Sequence, residues 1–254
     1  MLLGERHGIA QNLEFIVKLV PHLWNAGVRR IALEFFAAEN QANSDALVSS
    51  STYDEVLARE MLFEYNVGWP LLEYQSVHQA VWEFNHTNNA SMRVLHPSYI
   101  YDWSKWVGDR TDDSMRGVLH KGNVNVHRAK VIAEAVRGSD KVLGLFGAVH
   151  AIKDKSTLTS LGFPNFESVA QILEQKHSIK VASINLNGAL SGVWDSEIHT
   201  SSPLTPCTLD LEFIASHDFS EVQAAWPDPD WQAPPIDEKA YWQIMQNRRS
   251  FFLN

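Results

Sequence analysis

The chain offers four short strings with the means for chemistry: Gly4-Glu5-Arg6-His7-Gly8, then Glu34, then His96, then Gly147-Ala148-Val149-His150. Each follows a short apolar run. Two imidazoles with two carboxylates suit a first-row divalent ion, because neutral nitrogen and oxygen donors accept Mn, Co, Zn or Fe alike and leave positions for water. Such an ion would draw the pKa of its water toward ~7. Without one, His7 or Glu5 has the chemistry of a general base acting on water. The candidate catalytic set is therefore Glu5, His7, Glu34 and His150, and the candidate metal ligands are the same four with His96 as a fifth.

Other residues could shape a pocket around this set. Arg6 carries a planar fork that matches a carboxylate or phosphate. Tyr74 and His78 lie four residues apart in a helical pattern and so share a face. Trp69, Trp103 and Trp106 fall in or beside irregular stretches, where they could wall a flat or hydrophobic ligand. His120 and His127 flank one such stretch and could reach inward from a lid. Rival chemistries find no support: Cys207 has no nearby His, and there is no Gly-x-Ser-x-Gly elbow, no Walker-type loop and no Gly-x-Gly-x-x-Gly fingerprint.

The elements that must position these residues are legible from periodicity. Apolar runs at 1–3, 30–33, 92–95, 141–146 and 179–184 alternate with helical patterns, the order expected of βαβ units around a parallel sheet. Helices are predicted from Leu13 through Trp24 to a stop at Gly27, with Pro21 a candidate kink, and then over 53–66, along the Tyr74, Val77, Val81, Phe84 stripe, over 126–136 and over 166–176. The fold class is α/β: an open, mainly parallel sheet flanked by helices, with an irregular helical lid at about 99–125 and a Pro-rich C-terminal extension. Residues 1–200 form the core with its lid. Residues 201–254 pack on the same domain, with an edge strand near 209–214 and a terminal helix near 237–249. In such sheets ligands bind outside the carboxyl ends of the strands, and four of those ends carry a carboxylate or an imidazole.

Composition narrows the partners. With 21 Lys+Arg against 30 Asp+Glu the net charge is -9, which disfavours nucleic acid and anionic membranes and leaves a small-molecule or peptide substrate. No apolar run reaches the ~18 residues of a membrane span, so no integral membrane segment is expected. The lack of a basic n-region before an apolar stretch favours the cytoplasm. An apolar run that starts at residue 1 is also compatible with a trimmed leader. One cysteine forms no internal disulfide, and oligomeric state leaves no mark on the sequence.

The strings Leu-Leu-Gly-Glu-Arg-His-Gly, Ala-Leu-Glu-Phe-Phe and Leu-Phe-Gly-Ala-Val-His resemble, in order and spacing, the superfamily of erythromycin esterases, ChaN-type haem-binding lipoproteins and Tiki/TraB proteases. The resemblance spans roughly residues 1–190 and is nearest the ChaN-like branch. It maps the family's Glu and His onto Glu5 and His7, the second Glu onto Glu34, and the Gly-x-x-His onto Gly147 and His150. Arg128, followed by Ile132-Ala133, looks like the Arg-Asp-x-x-Met-Ala helix of the ChaN branch and joins the substrate-binding candidates, although Ala129 departs from that pattern. The resemblance implies an α/β fold and a protein that is an esterase, a metal-dependent protease or a haem binder. The residues point first to an ester or amide hydrolase using water activated by the Glu/His cluster, with or without a divalent metal. The alternatives are a haem or iron binder without turnover, in which His and Tyr side chains hold the group, and, from the lid and the Trp-rich loops, a tailoring enzyme for a peptide or natural product.

Overall fold

In a computed structural model, residues 1–65, 72–102, 105 and 116–186 are described. Each of the five apolar runs meets a strand: β1 (Leu2–Glu5), β2 (Val28–Leu33), β3 (Arg93–Leu95), β4 (Lys141–Gly147) and β5 (Ser183–Asn185), the last overlapping its run only at 183–184. They form one sheet in the order β3-β2-β4-β1-β5, and every pairing is parallel. Central β4 is apolar along almost its whole length, as a strand covered on both faces must be. Its Val142, Leu143, Leu145 and Phe146 are all buried.

Alternation along the strands splits the core into two layers. Leu3, Ile31, Leu33, Leu143 and Leu145 face α1 (Ala10–Asn25), α2 (Gln41–Ser49), α3 (Glu55–Tyr65) and α4 (Leu72–Asn88). Leu2, Ala32, Leu95, Val142 and Phe146 face the other way, against α5 (Val124–Arg137) and α8 (Val169–His177). Two short helices, α6 (Ala148–Ala151) and α7 (Lys155–Ser160), follow β4. α1 buries Leu13, Ile16, Val20 and Leu23, runs on through Pro21 and stops where Gly27 takes φ +82°, a conformation open to glycine at little steric cost. α5 starts where the Asn123 side chain accepts from the N–H groups of Asn125 and Val126, a cap worth roughly 1 kcal/mol. α8 begins with a reciprocal box between Ser168 and Gln171.

The strand order decides where the chemistry collects. After β1 the chain crosses over β4 to reach β2, and after β4 it crosses over β1 to reach β5. The neighbours β1 and β4 thus send their chains in opposite directions, which opens a crevice at their carboxyl ends. The lid stretch is described only at 99–102, 105 and 116–125, where its end already belongs to α5. The C-terminal extension, its edge strand and its terminal helix lie outside the described residues, as do Trp69, Trp103, Trp106 and Cys207.

Candidate active site

Glu5 is the last residue of β1 and pairs in register with Gly147, the last of β4. Glu34 stands one residue beyond β2, its main-chain N–H bonded to the carbonyl of Leu145 on β4 (3.2 Å). His150 sits on α6, immediately past β4. Because β4 lies between β1 and β2, the sheet itself draws Glu5, His7, Glu34 and His150 together.

Two linked units result. In the first, His7 Nδ1 is 3.0 Å from Glu5 Oε1, and the same oxygen accepts the Tyr74 hydroxyl at 2.6 Å. Glu5 Oε2 is buried without a hydrogen-bond partner among the described residues. Phe35 packs against both rings, 4.5 Å from His7 and 5.0 Å from Tyr74 between centroids. In the second unit, Glu34 Oε1 meets the Arg128 guanidinium at 3.0 Å and His150 Nε2 at 3.2 Å. Glu34 Oε2 accepts the Gly147 N–H at 2.5 Å. The units meet where His7 Nε2 lies 3.9 Å from Glu34 Oε2. Gly147 is essential to that approach: a Cβ there would stand 2.5 Å from His7 Nε2 and 2.9 Å from its Cε1.

The charges follow from this wiring. Burial alone would raise the Glu34 carboxyl, yet Arg128, His150 and His7 overcome it and hold Glu34 well below the ordinary carboxylate range. Burial alone would lower His7, but the Glu5 hydrogen bond and the charge of Glu34 hold its imidazole above the usual histidine value. For His150 burial wins over Glu34, and its imidazole is lowered. Burial, with Glu5 beside it, drives the Tyr74 phenol well upward, so Tyr74 remains a donor. Solvent reaches the imidazoles far more than the acids: side-chain exposure is 24% for His7 and 13% for His150, against 1% for Glu5 and 5% for Glu34.

Other residues named from the sequence are placed differently. Arg6 is exposed at the rim beside His7. Tyr74 is buried with its hydroxyl on Glu5, and Arg128 is buried on Glu34. Both act on the carboxylates in this arrangement. His96 follows β3, which β2 and β4 separate from β1, and points elsewhere: its Nε2 lies 3.0 Å from His78 Nε2 in a wholly buried pair packed against Phe36. His127 turns toward the Pro97 carbonyl, and His120 and His127 pack around Tyr99. Sequence reasoning missed Ser98, whose hydroxyl bonds both Arg128 and the Glu34 main chain, and Asn125, which accepts from Arg128. Neither stands at a strand end, and no motif marks them.

The donor set fits a resident ion poorly. Both Glu34 oxygens and Glu5 Oε1 already take protein hydrogen bonds, and a buried guanidinium adds a competing positive charge. Among the described residues no group of three or more His, Cys, Asp or Glu side chains is placed to hold a metal ion. Of the His and Tyr side chains a haem could use, Tyr74 and His78 are buried, while the His7 ring is reached by solvent.

No family model matches the chain, and no curated protein matches it. A solved structure of the type III effector HopBA1 is similar over 61% of this chain and 69% of that one, at 18% identity and a TM-score of 0.40. What fold and site define together is a parallel α/β protein with a Glu/His cluster at the crevice between two neighbouring strands.

Proposed function

We propose that the chain is a hydrolase of ester or amide bonds in which His7 acts as general base on water. The observation that carries this reading is the Glu5–His7 pair: an imidazole held at Nδ1 by a buried carboxylate, with its other nitrogen turned toward a second buried carboxylate and its ring reached by solvent. That is the wiring of a base whose positive charge is stabilised once it has taken a proton. In the proposed reaction Nε2 removes a proton from water as the oxygen attacks the carbonyl carbon. Glu5 keeps Nδ1–H in place, and Tyr74 keeps Glu5 in place. Negative charge growing on the carbonyl oxygen is met by His150, whose ring solvent reaches. His7 then returns the proton to the leaving alcohol or amine. No step is routed through a metal.

A panel of ester and amide substrates tests the proposal. Turnover by the wild-type chain should drop by at least ~10²-fold in His7→Gln and in Glu5→Gln, the loss expected when a general base or its partner is removed. Far-UV circular dichroism should stay unchanged in both. Full activity in His7→Gln, or in His150→Ala, would sink the assignment.

A further inference from the structure

Ser98 is fully buried, and its main chain carries the β2–β3 pairing past the end of the strands. It forms a parallel bridge with Ala37, donates its N–H to the Phe36 carbonyl (3.1 Å) and accepts at its carbonyl from Ala38 N–H (2.8 Å). The backbone is therefore fixed on the carboxyl side of the sheet, beside Glu34. Its hydroxyl donates to the Glu34 main-chain carbonyl at 2.6 Å and accepts from Arg128 Nε at 2.8 Å. One hydroxyl proton and one lone pair are thus used in their proper senses, on two different segments of the site.

The consequence falls on Arg128. A guanidinium is a rigid plane, so two anchored nitrogens fix the third. Nε is held by Ser98, one amino nitrogen by Asn125 Oδ1 (3.3 Å), and the other meets Glu34 Oε1 at 3.0 Å. Glu34 in turn faces both imidazoles. We infer that Ser98 is a positioning residue: through Arg128 it sets where the Glu34 carboxylate lies between His7 and His150. Its catalytic meaning rests on the hydrolase reading, but its effect on the two imidazoles does not.

The test compares Ser98→Ala, Ser98→Cys and Ser98→Thr in the full chain. Two readouts are followed: NMR titration of the His7 and His150 rings, assigned with His7→Gln and His150→Gln, and kcat and KM on whichever substrate is turned over. Arg128 opposes protonation of both rings, so loosening it in Ser98→Ala should move both midpoints to higher pH. The kcat should fall by about tenfold with KM within about twofold, because orientation rather than ground-state binding is lost. Ser98→Thr restores the hydroxyl and both readouts, and Ser98→Cys, nearly isosteric with serine, gives the same shift should the alanine variant fold poorly. Shifted midpoints without turnover of any substrate would uphold the positioning role and count against the hydrolase reading alone. Unmoved midpoints in Ser98→Ala and Ser98→Cys, even with a lowered Tm, would overturn the inference, as would a threonine variant that behaves like alanine.

Discussion

Gly147→Ala adds one methyl group and should silence the site while sparing the fold. The backbone tolerates alanine, because φ -51° and ψ 139° are ordinary values for an L residue. The N–H that Glu34 accepts is retained as well. The methyl carbon, however, would stand 2.5 Å from His7 Nε2 and 3.4 Å from Glu34 Oε2. An unstrained carbon–nitrogen contact needs about 3.5 Å, so the His7 ring must retreat by roughly 1 Å. Glu5 cannot follow, since Tyr74 holds it, and the Nδ1 bond is lost or bent. A misplacement of that size costs on the order of 10²-fold in rate. Stability should fall by only about 1–2 kcal/mol, the lower part of the range for an overpacked site, because the partly exposed ring can swing outward. Turnover together with urea denaturation measures both effects. Adding Gly147→Ala to a His7→Ala background should cost almost nothing in stability, the clashing ring being gone. Wild-type turnover in Gly147→Ala, or an equal stability cost in both backgrounds, would refute the reasoning.

Three further outcomes follow from the same geometry. His7 must be neutral to act as base and its midpoint is held above 6.5, so kcat/KM should climb with pH through that midpoint and then level off. Glu34→Gln, which removes a charge favouring the protonated ring, should move the climb to lower pH in a pH–rate profile. Arg128→Met leaves Glu34 buried without its cation and should destabilise the chain by about 3–5 kcal/mol in urea melts, with part of the loss recovered in Arg128→Met/Glu34→Gln. The His78–His96 pair predicts acid sensitivity: burial lowers His78 to about 3 and, with His78 alongside, takes His96 well below 6.5. Below pH ~6.5 the unfolded chain therefore binds protons that the folded chain refuses, and stability falls by about 1.4 kcal/mol per pH unit for each of the two. Glu34 adds its own loss only below about pH 4.5. Urea midpoints at pH 7, 6 and 5 should show this slope flattened in His78→Leu/His96→Leu, and equal slopes in the two proteins would contradict it.

The frame of the fold was legible because the apolar runs are short, separated by helical stripes and end in polar residues; all five became parallel strands. The meeting of Glu5, His7, Glu34 and His150 was legible because strand ends in a parallel sheet lie at one edge. α2 was not, since a nine-residue helix whose buried face is Ser44, Leu47 and Val48 makes too faint an apolar stripe. His96 shows where strand-end reasoning gives out. It occupies the same edge as the others, yet β3 is at the margin of the sheet and the ring pairs with His78 on α4, a contact set by packing rather than by any local pattern. From the sequence, Tyr74 and Arg128 read as residues that line a substrate pocket. Their hydroxyl and guanidinium are spent on Glu5 and Glu34, pairings across 69 and 94 residues of chain that no window of sequence reveals.

The placement of β4 also has a consequence for biosynthesis. β1 and β2 leave the ribosome early, but the strand that belongs between them begins only at Lys141. Until then a nascent chain has Glu5, His7 and Glu34 with nothing to bring them together. The inner edges of β1 and β2 carry unpaired main-chain groups that invite pairing with other chains. Insertion of a late strand into the middle of a sheet relies on contacts distant in sequence, the slow kind to form. The same insertion closes the vulnerable slot and supplies Gly147 and His150, so an interrupted translation product carries only part of the cluster.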